Sequence, residues 1–213
     1  FASSSRFTVK VIGSQSHGGT PWLGVDPIVI TSQIINSFQT IISRESNLTN
    51  EPAVISFGII EGGNRFNIIP NEVNLVGTIR SLDYDMRDHI KKRMKELAEG
   101  IAESYGGNAI IEIVDGADIT YNDPELMEKM LPSLKNTAGN NNVILNKAKT
   151  LAEDYAYYLN EIPGFIFELG GYNTNETRKA PPHHTPDFFI DDSSMLLGVK
   201  VMTNLALDFL DSE

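Results

Sequence analysis

Four stretches of apolar and polar residues have the pattern of a β-strand, and two stretches between them have the period of an α-helix. Apolar and polar residues alternate at residues 6–13 and 72–82, residues 53–60 are rich in strand-forming residues and end before Gly62 and Gly63, and a fourth strand is predicted at residues 109–114. Apolar residues spaced three and four positions apart predict helices at residues 26–45 and 83–105. The order β-α-β-β-α-β is the ferredoxin-like, or split-βαβ, pattern, which forms a four-stranded antiparallel sheet with two helices on one face.

Boundary residues support both helices. Asp26 precedes Pro27 at the first helix, where a carboxylate can accept hydrogen bonds from the free amides and proline lacks only an N–H that the first turn does not use. Gly106 and Gly107 follow the second helix and permit a left-handed stop.

The pattern changes after residue 116. Helices are predicted from Asp123-Pro124, around residues 153–159 and from Asp191-Asp192 onward, whereas strands are predicted only near Val143 and at residues 164–169. So few strands cannot complete an α/β sheet, and this part needs partner strands from elsewhere. The chain is therefore divided into three parts, which are a linker (1–5), a ferredoxin-like domain (6–116) and part of an α/β domain (117–213).

The first residues, FASSS, have the composition of a linker, and the chain has no initiator Met. They also lack the charged-then-apolar layout of a signal peptide. We expect the numbered chain to begin partway through a longer protein, whose earlier part supplies the missing strands.

Charge and composition exclude several classes of partner. Lys and Arg total 17 against 28 Asp and Glu, and the net charge of -11 argues against binding to nucleic acid or to an anionic membrane surface. No apolar run approaches the roughly 20 residues that span a bilayer. Cysteine is absent, which excludes thiolate chemistry by these residues and leaves the compartment open.

Four histidines are candidates for chemistry, and they differ in setting. His17 lies in the glycine-rich loop SHGGTP, where backbone and ligand can approach closely, although a surface or turn role is the common one for a loop histidine. His89 lies on a charged helix face and is interpreted as a surface residue. His183 and His184 lie in KAPPHHTPDF, whose prolines would hold an imidazole rigidly, as a metal ligand requires, or would simply shape a loop.

The segment GGNRFNIIPNE interrupts an apolar stretch with Asn67 and Pro70, as a tight turn would. Thirteen residues after Asn67, Arg80 occupies a strand on the same face as Thr78. An arginine in a strand is usually a solvated residue, so neither feature identifies a site by itself.

Five segments in order resemble one known family. They are FTVKVIGSQSHGGTPWLGVDPI, GGNRFNIIPNEVNLVGTIRS, LAEDYAYY, FELGG and HHTPDFFIDD. They are similar to those of the metal-dependent aminoacylases, carboxypeptidases and succinyl-diaminopimelate desuccinylase, and most of all to the hippurate and auxin-conjugate amidohydrolases. The resemblance implies a ferredoxin-like lid that forms homodimers, followed by the C-terminal part of a zinc-peptidase-like α/β catalytic domain.

The resemblance also implies roles for individual residues. His17 would reach the active site of the partner subunit and stabilise the oxyanion of the tetrahedral intermediate, and Asn67 and Arg80 would hold the carbonyl and carboxylate of the substrate. Gly170 and Gly171 would offer backbone groups to the substrate. His184 would be a metal ligand, with His183 as an outside candidate.

In this family two divalent metal ions, zinc, manganese, cobalt or nickel, activate a water that cleaves the amide bond of an N-acyl amino acid or small peptide. The other metal ligands and the general-base glutamate belong to a stretch that precedes the lid. We therefore expect this chain alone to be inactive. A non-catalytic dimerisation or small-ligand-binding module of the same fold is the alternative, since the ferredoxin-like architecture serves many functions.

Overall fold

The computed structural model describes residues 1–172, 180–181 and 183–212, and the chain divides into two compact units. The first unit comprises Phe1–Tyr121 and Ala148–Tyr157, and the second comprises Asn122–Lys147 and Tyr158–Glu213. The main part of the first unit thus ends at Tyr121, slightly beyond the predicted boundary at residue 116. The unit also includes Ala148–Tyr157 from later in the sequence.

Six strands and two long helices build the first unit. The strands are β1 (Ser3–Ile12), β2 (Ser16–His17), β3 (Ala53–Gly62), β4 (Ile68–Ile69), β5 (Glu72–Ser81) and β6 (Asn108–Asp115). The helices are α1 (Pro27–Thr40), which a π-helical turn at Ile41–Glu45 extends, and α2 (Tyr84–Ser104). The four long strands form an antiparallel sheet in the order β3-β5-β1-β6, which confirms the predicted ferredoxin-like fold.

The core lies between one face of this sheet and the two helices. Alternate residues of β1 and β5 point toward the helices because side chains alternate along a strand. The largest fully buried side chains of this core are Phe7, Val9, Val11, Leu75, Ile79, Ile30, Ile34, Phe38, Ile41, Ile90 and Met94. The intervening residues, including Arg6, Thr78 and Arg80, therefore lie on the opposite face, which we call the open face.

The prediction that residues 1–5 form a linker is wrong. β1 begins at Ser3, which pairs with Ser81, and Ser5 pairs with Ile79. Both serines are buried in the sheet, and their hydroxyls donate to the carbonyl of Ser81 at 3.0 Å and to Asp115 Oδ1 at 2.6 Å. A buried hydroxyl is tolerated once it is hydrogen-bonded, so a serine-rich segment can be a strand here.

The predicted helix boundaries are confirmed. Asp26 Oδ1 accepts hydrogen bonds from the amides of Ile28 at 2.8 Å and Val29 at 3.3 Å, and α1 starts at Pro27. Asp83 caps α2 in the same way, and Gly106 follows that helix with a φ of 78°.

The described residues after β6 include three further α-helices, α3 (Pro124–Ala138), α4 (Ala156–Leu159) and α5 (Met195–Asp211). The described residues form no strand near Val143 or at 164–169, so those two predictions are wrong. The side-chain amide of Asn122 bonds both the N–H and the carbonyl of Ile166 at 2.9 Å, which occupies backbone groups that a neighbouring strand would otherwise use. The final helix is confirmed.

The segment Asp192–Asp211, which contains α5, is the one described helix long and apolar enough, by length and composition alone, to cross a membrane. One face of α5 packs on α3, where Asn204 donates to Thr137 Oγ1 at 2.9 Å. Most of its other apolar side chains are exposed, among them Leu196, Val199 and Met202. A single such helix is weak evidence for a membrane, and the absence of a membrane partner stays a prediction.

Candidate active-site residues

His17 and Asn67 lie side by side at one end of the first unit, which we call the lid. We call this end, formed by the short strands β2 and β4 and the turns beside them, the tip. The β1–β5 pairing continues past the end of the sheet, where the amide of Gly13 donates to the carbonyl of Asn71 at 2.8 Å, and then becomes the short β2–β4 ladder. In this ladder His17 pairs with Ile68, and the amide of Gly18 donates to the carbonyl of Asn67 at 2.8 Å. Two of the predicted site residues, 50 positions apart in sequence, are therefore adjacent.

A hydrogen bond from the backbone determines which nitrogen of the neutral His17 ring carries the proton. The amide of Gly19 donates to His17 Nδ1 at 2.9 Å, and a backbone N–H can only donate, so Nδ1 of the neutral ring carries no proton. The proton is on Nε2, which has no hydrogen-bond partner within the described part of the chain. The exposed imidazole thus presents an N–H donor to whatever approaches the tip.

The two glycines after His17 are needed for this arrangement. A Cβ at Gly18 would lie 3.1 Å from the carbonyl oxygen of Asn67, and one at Gly19 would lie 3.1 Å from His17 Nδ1. Both contacts are tighter than ordinary van der Waals distances. The amide of Thr20 also donates to the carbonyl of His17 at 2.9 Å, which closes the turn around the ring.

We expect Gly19→Ala to weaken the hydrogen bond at His17 Nδ1, because a methyl group at this position must displace the imidazole by a few tenths of an ångström. Nitrogen NMR of the ring would show a weakened hydrogen bond at His17 Nδ1. Gly100→Ala is the matched control, since a Cβ at that glycine in α2 would contact nothing within 4 Å. An unchanged ring-nitrogen spectrum in Gly19→Ala would mean that the Gly19 amide does not position the ring.

Asn67 lies at the apex of a turn in which the amide of Ile68 donates to the carbonyl of Arg65 at 3.3 Å. Its neighbour Phe66 is fully exposed, at 104% relative accessibility. The tight turn predicted from Asn67 and Pro70 is confirmed. It places the backbone of Asn67 next to the segment that carries His17.

Arg80 lies elsewhere, on the open face of the sheet. Its Nη1 donates to Thr78 Oγ1 and to the carbonyl of Ile79, the latter at 3.1 Å, and burial lowers the pKa of this guanidinium. Thr78 in turn donates to the carbonyl of Ser5 at 3.2 Å. Arg80 is therefore held against the sheet on one side of its guanidinium.

Arg80 and the pair His17 and Asn67 lie toward opposite ends of β5. The ladder that carries the histidine follows the Glu72 end of β5, and Arg80 lies eight residues along that strand. At about 3.3 Å per residue, Arg80 is about 26 Å along β5 from Glu72. The structure thus divides the predicted lid residues into two groups at opposite ends of the sheet.

The remaining candidates lie in the second unit. Gly170 is exposed, and the carbonyl of Gly171 accepts from the amide of Asp191 at 2.7 Å. The His183 ring packs on Phe188 with centroids 4.8 Å apart. His184 is exposed and adopts a φ of 64°, which is rare for a residue other than glycine. Their roles toward a substrate or metal stay predictions.

The described residues contain no group of three or more His, Cys, Asp or Glu side chains that could hold a metal ion. The two-metal centre implied by the resemblance therefore does not fit within these residues alone. His184 can supply one ligand at most.

Sequence reasoning missed the contribution of the Gly19 amide. The signal was present in the SHGGTP segment, since a glycine two positions after a histidine can fold its amide back onto the ring. This contact could not be predicted without the geometry of the turn, because many glycine-rich loops contain a histidine for other reasons.

Known proteins resemble this chain in sequence. Residues 3–106 match the peptidase dimerisation domain of M20 peptidases. The chain is 31% identical over 210 residues to thermostable carboxypeptidase 2 of Saccharolobus solfataricus, covering 98% of this chain and 52% of the relative. It is also 31% identical over 211 residues to N-acetyl-L-cysteine deacetylase of Bacillus subtilis, covering 99% of this chain and 49% of the relative. The chain thus spans about half the length of the curated relatives it matches.

Solved structures agree with the fold. A methicillin-resistant Staphylococcus aureus protein, provisionally named an aminohydrolase, superimposes with a TM-score of 0.81 at 31% identity and covers 98% of this chain and 53% of that one. YXEP of Bacillus subtilis, described as a dinuclear metal-binding peptidase of the M20 family, gives a TM-score of 0.72 at 24% identity, over all of this chain and 51% of that one. Residues 3–106 therefore match a dimerisation domain of M20 peptidases.

Proposed function

We propose that the chain is the lid and C-terminal part of a two-metal amidohydrolase that cleaves the amide bond of N-acyl amino acids or small peptides. The names of its relatives, which include deacetylases and carboxypeptidases, support amide hydrolysis. The observation that carries the proposal is the exposed tip where His17 presents its Nε2–H beside Asn67.

The tip residues suit the stabilisation of negative charge. Attack on an amide carbonyl converts its oxygen into an oxyanion, and a preorganised N–H donor stabilises this charge more strongly than it stabilises the ground state. His17 Nε2–H is such a donor, because the Gly19 amide prevents the ring from turning its bare nitrogen outward. Asn67 would add a side-chain amide to the same carbonyl.

Arg80 would bind the carboxylate of the amino-acid part of the substrate. A guanidinium forms a planar fork that matches a carboxylate, and the bonds to Thr78 and Ile79 already orient this one. This long side chain therefore loses little further conformational entropy when the substrate binds.

We propose that each active site of a homodimer draws on both subunits. Within one subunit, Arg80 is about 26 Å along β5 from Glu72, the end from which the ladder of His17 and Asn67 continues, and this span is far longer than an N-acyl amino acid. All three can contact one substrate only if the tip of one lid reaches the open face and catalytic domain of the other subunit. This arrangement agrees with the assignment of residues 3–106 as a dimerisation domain.

The metal centre is proposed to lie in the complete protein, where His184 would be one ligand and most others would come from outside these 213 residues. Bound divalent ions would supply an activated water. Gly170 and Gly171 would offer backbone groups to the substrate. Which branch of the family the protein represents, and whether zinc or another metal is used, are left to measurement.

The test compares the 213-residue chain with the complete protein that contains it. With N-acetyl amino acids and added zinc, manganese, cobalt or nickel, we expect hydrolysis by the complete protein and none by the chain alone, since one histidine ligand cannot assemble a two-metal site. Turnover by the purified chain that is lost in His184→Ala would contradict this division. If the complete protein hydrolyses no amide substrate with any of these metals, the non-catalytic alternative is favoured.

A further inference from the structure

The open face of the sheet carries a shallow cleft of about 490 Å³ that contains two arginines. Its lining includes two arginines, Arg6 and Arg80, two carboxylates, Glu112 and Asp115, and the hydroxyl of Thr78. Arg6 pairs with Thr78 and Ser4 pairs with Arg80 across β1 and β5, so the arginines are diagonal neighbours on one face. Such neighbours are about 7–8 Å apart, close enough for both side chains to reach one small ligand.

Arg80 offers one edge of its guanidinium to this cleft. Its Nη1 is engaged by Thr78 and by the carbonyl of Ile79, whereas Nε and Nη2 have no partner among the described residues. A half-buried guanidinium without a carboxylate is unfavourable, because desolvation is not offset by an opposite charge. The cleft therefore favours an anion at this edge.

Arg6 likewise forms no ion pair in the described part of the chain, although it is exposed. Lys10 is the informative contrast, since it lies on the same strand and face but its Nζ is 2.6 Å from Glu72 Oε2. Glu112 and Asp115 also line the cleft, but in the described part of the chain neither forms an ion pair with these arginines. Asp115 is paired with Lys91, whose Nζ lies 2.6 Å from its Oδ1. Both arginines therefore keep N–H donors that no carboxylate of the described residues occupies, which favours an anion in the cleft.

We propose that this cleft binds a ligand with two carboxylates, one on the free edge of Arg80 and the other on Arg6. The inference rests on the proposed function for its biological meaning: the preferred substrates would be N-acyl derivatives of acidic amino acids, such as N-acetylglutamate. The binding itself requires only residues of the first unit.

Binding is tested on the 213-residue chain by NMR titration with glutarate, which has two carboxylates, and butyrate, which has one. We expect glutarate to bind more tightly, and Arg6→Gln to weaken glutarate roughly fivefold while leaving butyrate unchanged. Arg80→Gln should weaken both ligands, by about tenfold. Lys10→Gln removes the same charge from the same face and should change neither, since Lys10 is already paired with Glu72.

Three results would overturn the proposal: glutarate that binds no better than butyrate, a Lys10→Gln effect equal to that of Arg6→Gln, or inorganic phosphate that binds as tightly as glutarate. In the complete enzyme, Arg6→Gln should lower kcat/KM for N-acetylglutamate about fivefold and leave N-acetylglutamine unaffected. If the complete protein hydrolyses neither compound but the chain still selects glutarate through Arg6, the proposed function fails and the dicarboxylate site stands.

Discussion

Replacing His17 by alanine in the complete enzyme is expected to lower kcat roughly 100- to 1,000-fold, with KM and metal content nearly unchanged. The reason is that the Nε2–H is oriented toward charge that exists only after attack on the carbonyl, so its loss affects the transition state and not substrate binding. Steady-state kinetics with an N-acetyl amino acid, together with metal analysis of the purified variant, would measure both quantities.

His89→Ala is the matched control for this experiment. His89 is another histidine of the first unit, and its Nε2 lies 3.3 Å from Glu45 Oε2 on the surface of α2, far from the tip. Its replacement should leave kcat unchanged. If His17→Ala strips the metals from the enzyme, or raises KM without lowering kcat, His17 is not an oxyanion donor.

Arg80→Ala should reduce kcat/KM for substrates with a free carboxylate by roughly 30- to 4,000-fold. Truncating one member of a buried charge-assisted pair costs about 2–5 kcal/mol, because the other charge is left unpaired. Arg80→Lys should recover only part of the activity, since an ammonium group lacks the planar fork and cannot reproduce the bonds to both Thr78 and the substrate.

An amidated substrate is the control for Arg80. It has no carboxylate to pair with the guanidinium, so the wild-type enzyme and Arg80→Ala should cleave it at nearly equal rates. If the wild type cleaves acid and amide substrates equally well, or if the variant impairs both alike, the role of Arg80 is structural.

The ferredoxin-like fold could be predicted because its signals are local. Strand alternation, helical spacing and the capping residues Asp26 and Asp83 each lie within a few positions of the element they specify. The start of β1 could not be predicted in this way. Ser3 and Ser5 are strand residues only because Ser81 and Asp115, about 80 and 110 positions away, accept their hydroxyl hydrogen bonds.

Which of the predicted site residues are adjacent depends on strand register, and strand register cannot be inferred from the motifs. Asn67 and Arg80 are close in sequence and His17 is distant, yet the structure pairs His17 with Asn67 and separates Arg80. The separation follows from the extended geometry of β5, and the pairing follows from continuation of the β1–β5 ladder past the sheet. At residues 164–169 a local signal was misleading. The apolar stretch predicted a strand, but the side chain of Asn122 bonds the backbone N–H and carbonyl of Ile166 where a neighbouring strand would otherwise bond them.

The central claim, that each active site combines the tip of one lid with Arg80 of the other subunit, is tested by mixing inactive subunits of the complete enzyme. Co-expression of His17→Ala and Arg80→Ala subunits should restore about a quarter of wild-type activity, because half of the dimers are mixed and each has one intact site. Mixing His17→Ala with Asn67→Ala should restore none, since these two residues enter the same site from the same subunit. Recovery in the second mixture, or no recovery in the first, would contradict the shared site.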